Sequence, residues 1–247
     1  MRHHGTMATK GRIACFSGPK EGAGCTTLTM NLALAWAGTV PRNVVVVQFD
    51  PLCRDELGSS LGLPADPPSL ARYTALNPVA LRGRLRHEVK LSQWGVGVMP
   101  LAEGPDEARR VTPAAALRVL RALAELYDLF LDVDPCSPLR ETALAAADTV
   151  LWTCRPQRTH LEAPQRAFQK FRSRRVPLGR LGFVVNDCDG AGALPAAEVS
   201  AFCAAMSAPL ISSMPREDLL PKFANTGRVL VAQELRSPWV NALRPVL

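Results

Sequence analysis

The sequence predicts an α/β fold, a three-layer arrangement in which a mainly parallel sheet carries helices on both faces. Three observations lead there. Apolar runs rich in β-branched residues recur along the chain, stretches of helical periodicity separate most of them, and a glycine-rich segment follows the first run. Such alternation requires crossover connections between parallel strands, and crossovers cover both faces of the sheet. On sheets of this kind ligands bind beyond the carboxyl ends of the strands.

Each element follows from its residues. Residues 12–17 (RIACFS) read as a strand, and after a glycine-rich turn residues 26–37 carry apolar positions at helical spacing. Residues 43–49 (NVVVVQF) form a β-branched strand, and the polar, proline-rich stretch 51–88 is expected to hold short helices. A strand at 96–99 precedes a helix over 112–127, whose Thr112-Pro113 start supplies a cap and a first turn. Residues 129–133, 149–153, 181–186 and 210–213 are further strands. Neither a repeat nor a low-complexity tract appears; Gly190 to Gly192 and Pro64 to Pro68 read as loops, not linkers.

Composition narrows the class. A chain of 247 residues, 47% of them apolar, can bury one substantial core. We expect a single domain over 12–247, preceded by a tail over 1–11 that is disordered or left by cloning; His3, His4 and a second methionine, Met7, lie in it. No apolar run approaches the ~20 residues needed to span a bilayer. The seven cysteines include no C-x-x-C pair, which fits neither a disulfide framework nor a zinc site, so a reducing cytoplasmic compartment is expected. His87 and His160 are isolated, and Trp36, Trp94 and Trp239 read as core or interface residues.

The formal charge of +7 is local. Residues 155–180 hold eight basic residues and one acid, Glu162, and the rest of the chain is balanced. Apolar Leu161, Ala167, Phe168 and Phe171 fall on one helical face, which turns Arg166, Lys170, Arg172, Arg174 and Arg175 outward. This surface is either a solvated face or a docking face for DNA, an anionic membrane surface or an acidic protein.

The segment between the first strand and helix, Ser17-Gly18-Pro19-Lys20-Glu21-Gly22-Ala23-Gly24-Cys25-Thr26-Thr27, stands where a phosphate-binding loop would. Its glycines let backbone N–H groups converge on phosphate oxygens, the helix offers its positive end, and a threonine hydroxyl is a Mg²⁺ ligand. The usual G-K-[ST] ending is broken, because Cys25 stands where the lysine belongs. A thiol at a helix amino terminus has its pKa lowered, which raises a redox or nucleophile reading for Cys25, although no resolving cysteine sits next to it.

K-x-G-x-G-x-T-T before an apolar helix resembles the deviant phosphate loop of the ParA/MinD superfamily of P-loop NTPases. Five later segments agree in order: residues 44–51 (VVVVQFDP), 127–135 (YDLFLDVDP), 147–151 (ADTVL), 183–186 (FVVN) and 214–218 (MPRED), with Ala224 to Gly227 beyond them. The resemblance implies ATP or ADP with Mg²⁺ as ligands and a homodimer in which Lys20 reaches the partner's nucleotide. It assigns Gly22, Ala23, Gly24, Cys25, Thr26 and Thr27 to the phosphates and Asn186, Pro215 and Asp218 to the base. By the same resemblance Asp50 matches the family residue that positions the attacking water or outer-shell Mg²⁺, so Lys20 and Asp50 are the catalytic candidates, and Thr26, Asp50 and Asp134 the metal candidates. Two departures matter: Gln48 replaces an aspartate found in many members, and gapless alignment puts Val133 at the family aspartate, between Asp132 and Asp134. Asn186 also reads as an ordinary strand-end turn residue.

The loop ending, residues 57–63 and residues 218–238 look most like the TadZ/CpaE branch, whose Walker lysine is often a small residue and whose members place pilus and secretion machinery. The expectation is a nucleotide-responsive dimeric positioning factor for a pilus, secretion or motility assembly, with weak or no hydrolysis, recruited to the cell pole or the inner membrane surface. A nucleotide-free pseudo-ATPase scaffold and a ParA-like partition ATPase that binds DNA are the alternatives. Residues 237–247 hold Arg244 as their single cation and a break at Pro245, so they are not expected to form the amphipathic basic helix by which MinD relatives bind membranes.

Overall fold

The computed structural model describes residues 10–52, 57–174, 176, 180–234 and 236–247; Cys53 and Arg175 lie outside the described residues. Seven strands are present: β1 (Ile13–Ser17), β2 (Val44–Phe49), β3 (Val96–Pro100), β4 (Asp128–Val133), β5 (Thr149–Cys154), β6 (Arg180–Asn186) and β7 (Leu210–Met214). They form one sheet in the order β3-β2-β4-β1-β5-β6-β7. Every neighbouring pair is parallel. The helices between them are α1 (Cys25–Ala37), α2 (Leu57–Ser60), α3 (Pro78–Glu88), α4 (Pro105–Ala108), α5 (Pro113–Ala124), α6 (Arg140–Ala146), α7 (Arg158–Ser173), α8 (Ala196–Ala205), α9 (Leu219–Asn225) and α10 (Pro238–Asn241).

Side-chain alternation splits the core. Ile13, Cys15, Val45, Val47, Leu129, Leu131 and Trp152 pack with residues of α3, α5, α6, α7 and α8, whereas Phe16, Val44, Val46, Phe130 and Leu151 pack with α1, α2 and α10. Both faces are therefore covered, and the unbroken burial of β2 and β4, apolar but for Gln48, Asp128 and Asp132, reflects that. The stretch 51–88 holds the expected short helical pieces, of which α3, capped by Asn77, is the longest.

Ends of elements behave as their residues dictate. Thr112 caps α5, its Oγ1 accepting from the Ala115 amide at 3.3 Å, with Pro113 at the first helical position. Gly11 is buried, with its amide donating to the Ala124 carbonyl at 2.7 Å, so the packed fold includes that residue. Asp128, 5% exposed, ties the amino edge together by accepting from the Arg12 amide at 2.9 Å and from Trp36 Nε1 at 2.8 Å. Among the described residues no helix is long and apolar enough to cross a membrane.

Candidate functional site

β1 ends at Ser17, and the chain turns through residues 18–24 before entering α1. Gly22 and Gly24 take φ of +77° and +94°, which L side chains rarely adopt. At Gly24 even a methyl would lie 2.4 Å from Asn186 Nδ2, so both backbone shape and space demand glycine. The helix that follows has no side-chain cap, unlike α3 and α5. Its first amides thus face the loop with no side chain offered to them, the arrangement that anions fill at helix starts.

A cleft of about 300 Å³ opens above this loop. Residues 20–27 form one wall, and Gln48, Asp50 and residues 132–135 form the other. The structure thus brings together nine of the sequence-derived candidates: Lys20, Gly22, Ala23, Gly24, Cys25, Thr26, Thr27, Asp50 and Asp134. Register explains it: β2 and β1 flank β4, with Gln48 and Phe16 both opposite Asp132.

The ambiguity around Val133 resolves by side. Val133 faces away from α1 into the core with Leu129 and Leu131. Asp132, 8% exposed, lies on the α1 side with Phe130, at the same level as Gln48. Asp134 follows the strand end, where its Oδ1 accepts from the Cys136 amide at 2.6 Å. Asp50 makes a similar turn, accepting from the Leu52 amide at 2.8 Å.

Two tests bear on a nucleotide with Mg²⁺. Gln48 is 5% exposed, and its Oε1 has no hydrogen-bond partner although it lines the cleft, an orphaned acceptor that a bound group or water would satisfy. Among the described residues no three His, Cys, Asp or Glu side chains converge to hold a metal by themselves. Mg²⁺ keeps waters and binds through one or two carboxylates together with phosphate oxygens, and Asp50, Asp132 and Asp134 line the cleft. Charge agrees: the lining holds Lys20 against Glu21, Asp50, Asp132 and Asp134, so a polyphosphate alone would meet net negative charge.

Cys25 corrects one expectation. Its helix-start position was expected to lower the thiol pKa, but desolvation raises it, Asp132 adds to the rise, and the thiol is pushed up to about 12. A methyl on Gly18 would lie 3.0 Å from Cys25 Sγ, which places the thiol against the base of the loop, beside the Thr153 hydroxyl that partly offsets the rise. At neutral pH it is a neutral thiol, and the redox reading loses its physical basis.

The base-side candidates sit elsewhere. Asn186 ends β6 with both ends of its amide engaged: Nδ2 donates to the Ala23 carbonyl at 3.4 Å and Oδ1 accepts from Trp239 Nε1 at 3.3 Å. Pro215 and Asp218 follow β7 on the same carboxyl edge, with Asp218 accepting from Arg216 Nε at 2.8 Å. None of the three lines the cleft.

On α7 the apolar face is as the sequence predicts, with Leu161, Phe168 and Phe171 buried and Arg166, Lys170, Arg172 and Arg174 exposed. The positive face is partly neutralised, since Arg174 pairs with Glu141 of α6 and Arg158 lies 3.9 Å from both Glu162 and Glu198.

Sequence reasoning missed Arg140. From the first turn of α6 its guanidinium reaches under the loop: Nε donates to Ser17 Oγ at 3.1 Å, Nη2 to the Gly18 carbonyl at 2.7 Å and Nη1 to the Pro135 carbonyl at 3.3 Å. Nothing local marks it among 24 arginines, because two of its three acceptors lie more than 120 residues away.

No protein-family model matches the chain. A curated relative, a chromosome partitioning protein ParA of Myxococcus xanthus, is 34% identical over 155 residues, which cover 58% of this chain and 52% of the relative. The match thus spans about half the relative's length. A ParA family ATPase from Chlorobium tepidum superposes with a TM-score of 0.80 over 95% of this chain and 96% of that one, at 16% identity. MinD of Pyrococcus horikoshii, solved with Mg-ADP, gives 0.75 over 96% and 94%, at 20% identity. The chain carries the ParA/MinD P-loop NTPase fold and, across the matched stretch, is similar in sequence to a partitioning ParA.

Proposed function

We propose that the protein binds ATP with Mg²⁺ at the loop between β1 and α1 and acts as a nucleotide-responsive positioning factor that turns over slowly or not at all. The observation that carries the reading is the cleft: two left-handed glycines and an uncapped helix start face a carboxylate wall and the orphaned Gln48 oxygen. The loop amides would hold the phosphates, and Thr26 with Asp50 and Asp132 or Asp134 would support the metal. We favour Asp132, because it lies on the α1 side of β4. Bound Mg²⁺ supplies charge neutralisation for the phosphates. A neutral Cys25 supplies no cation where phosphoryl transfer needs one, which supports binding over hydrolysis.

In this reading ATP shifts the protein from monomer to a dimer bridged through Lys20, and the dimer recruits an acceptor assembly. The TadZ/CpaE-like loop points to a pilus, secretion or motility apparatus as that assembly. Isothermal titration with ATP and Mg²⁺, read beside the dimer fraction in analytical ultracentrifugation, tests it. Heat that requires Mg²⁺ and a dimer fraction that rises with ATP are expected; no heat and an unchanged fraction would discard the nucleotide switch in favour of a constitutive scaffold.

The exposed cations of α7 favour a second reading, a partition ATPase that binds DNA through this face. The partitioning name of the Myxococcus relative points the same way. DNA binding that weakens steeply with salt and disappears on charge reversal at Arg166, Lys170 and Arg172 would establish it.

A further inference from the structure

We propose that Arg140 is the positioning cation of the phosphate loop, holding it in anion-binding shape from below and supplying the positive charge that the loop lost at Cys25. The inference rests on the nucleotide reading above for its ligand, but the geometry stands independently. Arg140 joins the two walls of the cleft: Ser17 and Gly18 begin the phosphate loop, and Pro135 belongs to the segment carrying Asp132 and Asp134.

The side chain has little freedom to leave. Its guanidinium lies over the Trp152 ring at 4.7 Å and near the Phe171 ring at 5.6 Å. A planar fork serving three acceptors on two loops while stacking on indole is a task for arginine and not for lysine. The residue it grips, Gly18, is the one against which the Cys25 thiol packs; a methyl there would also lie 2.7 Å from the Thr153 carbonyl. The cation and the substituted position therefore meet at the same residue.

All three acceptors are neutral oxygens, so these hydrogen bonds orient the charge without cancelling it. In a half-buried position a fixed cation acts over a longer range than in water. Its field falls on the cleft, where Asp134 stands within electrostatic reach. Restoring lysine at position 25 would then set an ammonium against an existing guanidinium across Gly18. The two cations are alternatives.

The test compares wild type with Arg140→Met, Arg140→Lys, Cys25→Lys and the double variant Cys25→Lys/Arg140→Met, each first checked for folding by circular dichroism. In nucleotide-free protein, amide hydrogen exchange across residues 20–27 should quicken about tenfold in Arg140→Met, as loss of charge-assisted hydrogen bonds implies. By titration with Mg-ATP, Arg140→Met should bind about tenfold more weakly, Arg140→Lys should fall between, Cys25→Lys should gain nothing, and the double variant should recover to within about threefold of wild type. Unchanged exchange in Arg140→Met, or a double variant no tighter than Arg140→Met, overturns the proposal. If Arg140→Met fails to fold, Arg140→Lys carries both measurements: it keeps charge and loses the fork, and wild-type exchange in it refutes the positioning role. Wild-type protein that takes up no Mg-ATP refutes the nucleotide reading alone, since the exchange experiment needs no ligand.

Discussion

Acidification from pH 7 to pH 5 should remove about 2 kcal/mol of stability through one side chain, His160. The ring is 3% exposed in the first turn of α7, and its Nδ1 accepts from the Arg155 amide at 3.4 Å. Desolvation, then the charges of Lys20 and Arg155, pull its pKa from 6.5 down to about 4. The folded protein thus keeps this histidine neutral, while the unfolded chain takes up a proton near 6.5. A folded value below the unfolded one means that the contribution is fully present above pH 6.5 and is lost as the pH falls toward 4. At pH 5 the unfolded state has gained about 1.5 pKa units of protonation free energy that the folded state has not, and at about 1.4 kcal/mol per unit this gives the figure above. Urea unfolding at both pH values, for wild type and His160→Gln, isolates the group because other carboxylates and histidines titrate alike in both. The variant should lose about 2 kcal/mol less than wild type on acidification. Equal losses would refute the claim that His160 is held neutral between these cations. The same proton would place a second charge beside Lys20, so the stability readout also reports on the loop's surroundings.

Further outcomes follow from the same geometry. Gly24→Ala, at φ +94° and with no room beside Asn186, should cost about 2 kcal/mol in thermal unfolding and abolish Mg-ATP binding; a variant with wild-type melting would show that the loop takes another shape. In native protein at pH 8, iodoacetamide should modify exposed Cys136 while Cys25 stays protonated, and peptide mass spectrometry that finds Cys25 alkylated first would contradict its raised pKa. Asp128→Asn turns one acceptor toward a donor and removes the charge near Arg42, 3.7 Å away, so a loss of about 2 kcal/mol is expected; a change under about 0.5 kcal/mol would sink the view that Asp128 ties the amino edge together.

Much of the architecture was legible because it depends on local patterns. Strands buried on both faces are mostly apolar, so residues 44–49 and 129–133 announced themselves, and Thr112-Pro113 announced a helix start. The glycine loop was legible for the same reason, since L side chains rarely adopt φ values such as those at positions 22 and 24. The α7 face was also readable, but the pairing of Arg174 with Glu141 was not, because it joins elements separated by a strand and a loop.

The sequence by itself determined that strands alternate with helices, that a glycine loop follows the first strand, that Cys25 and not lysine precedes Thr26 in it, and that positive charge concentrates on one crossover. Tertiary structure decided what those features amount to chemically. Alternation along a strand already turns Val133 away from Asp132 and Asp134, but the strand order sets β4 between β1 and β2 and so puts Asp132 opposite Gln48. Packing of Cys25 against Gly18, with Thr153 alongside, reverses the pKa trend that its helix position suggested. Arg140 reaches Gly18 across 122 residues. The dividing line is physical: backbone conformation and periodic burial are written in neighbouring residues, whereas desolvation and charge depend on atoms brought together from distant parts of the chain.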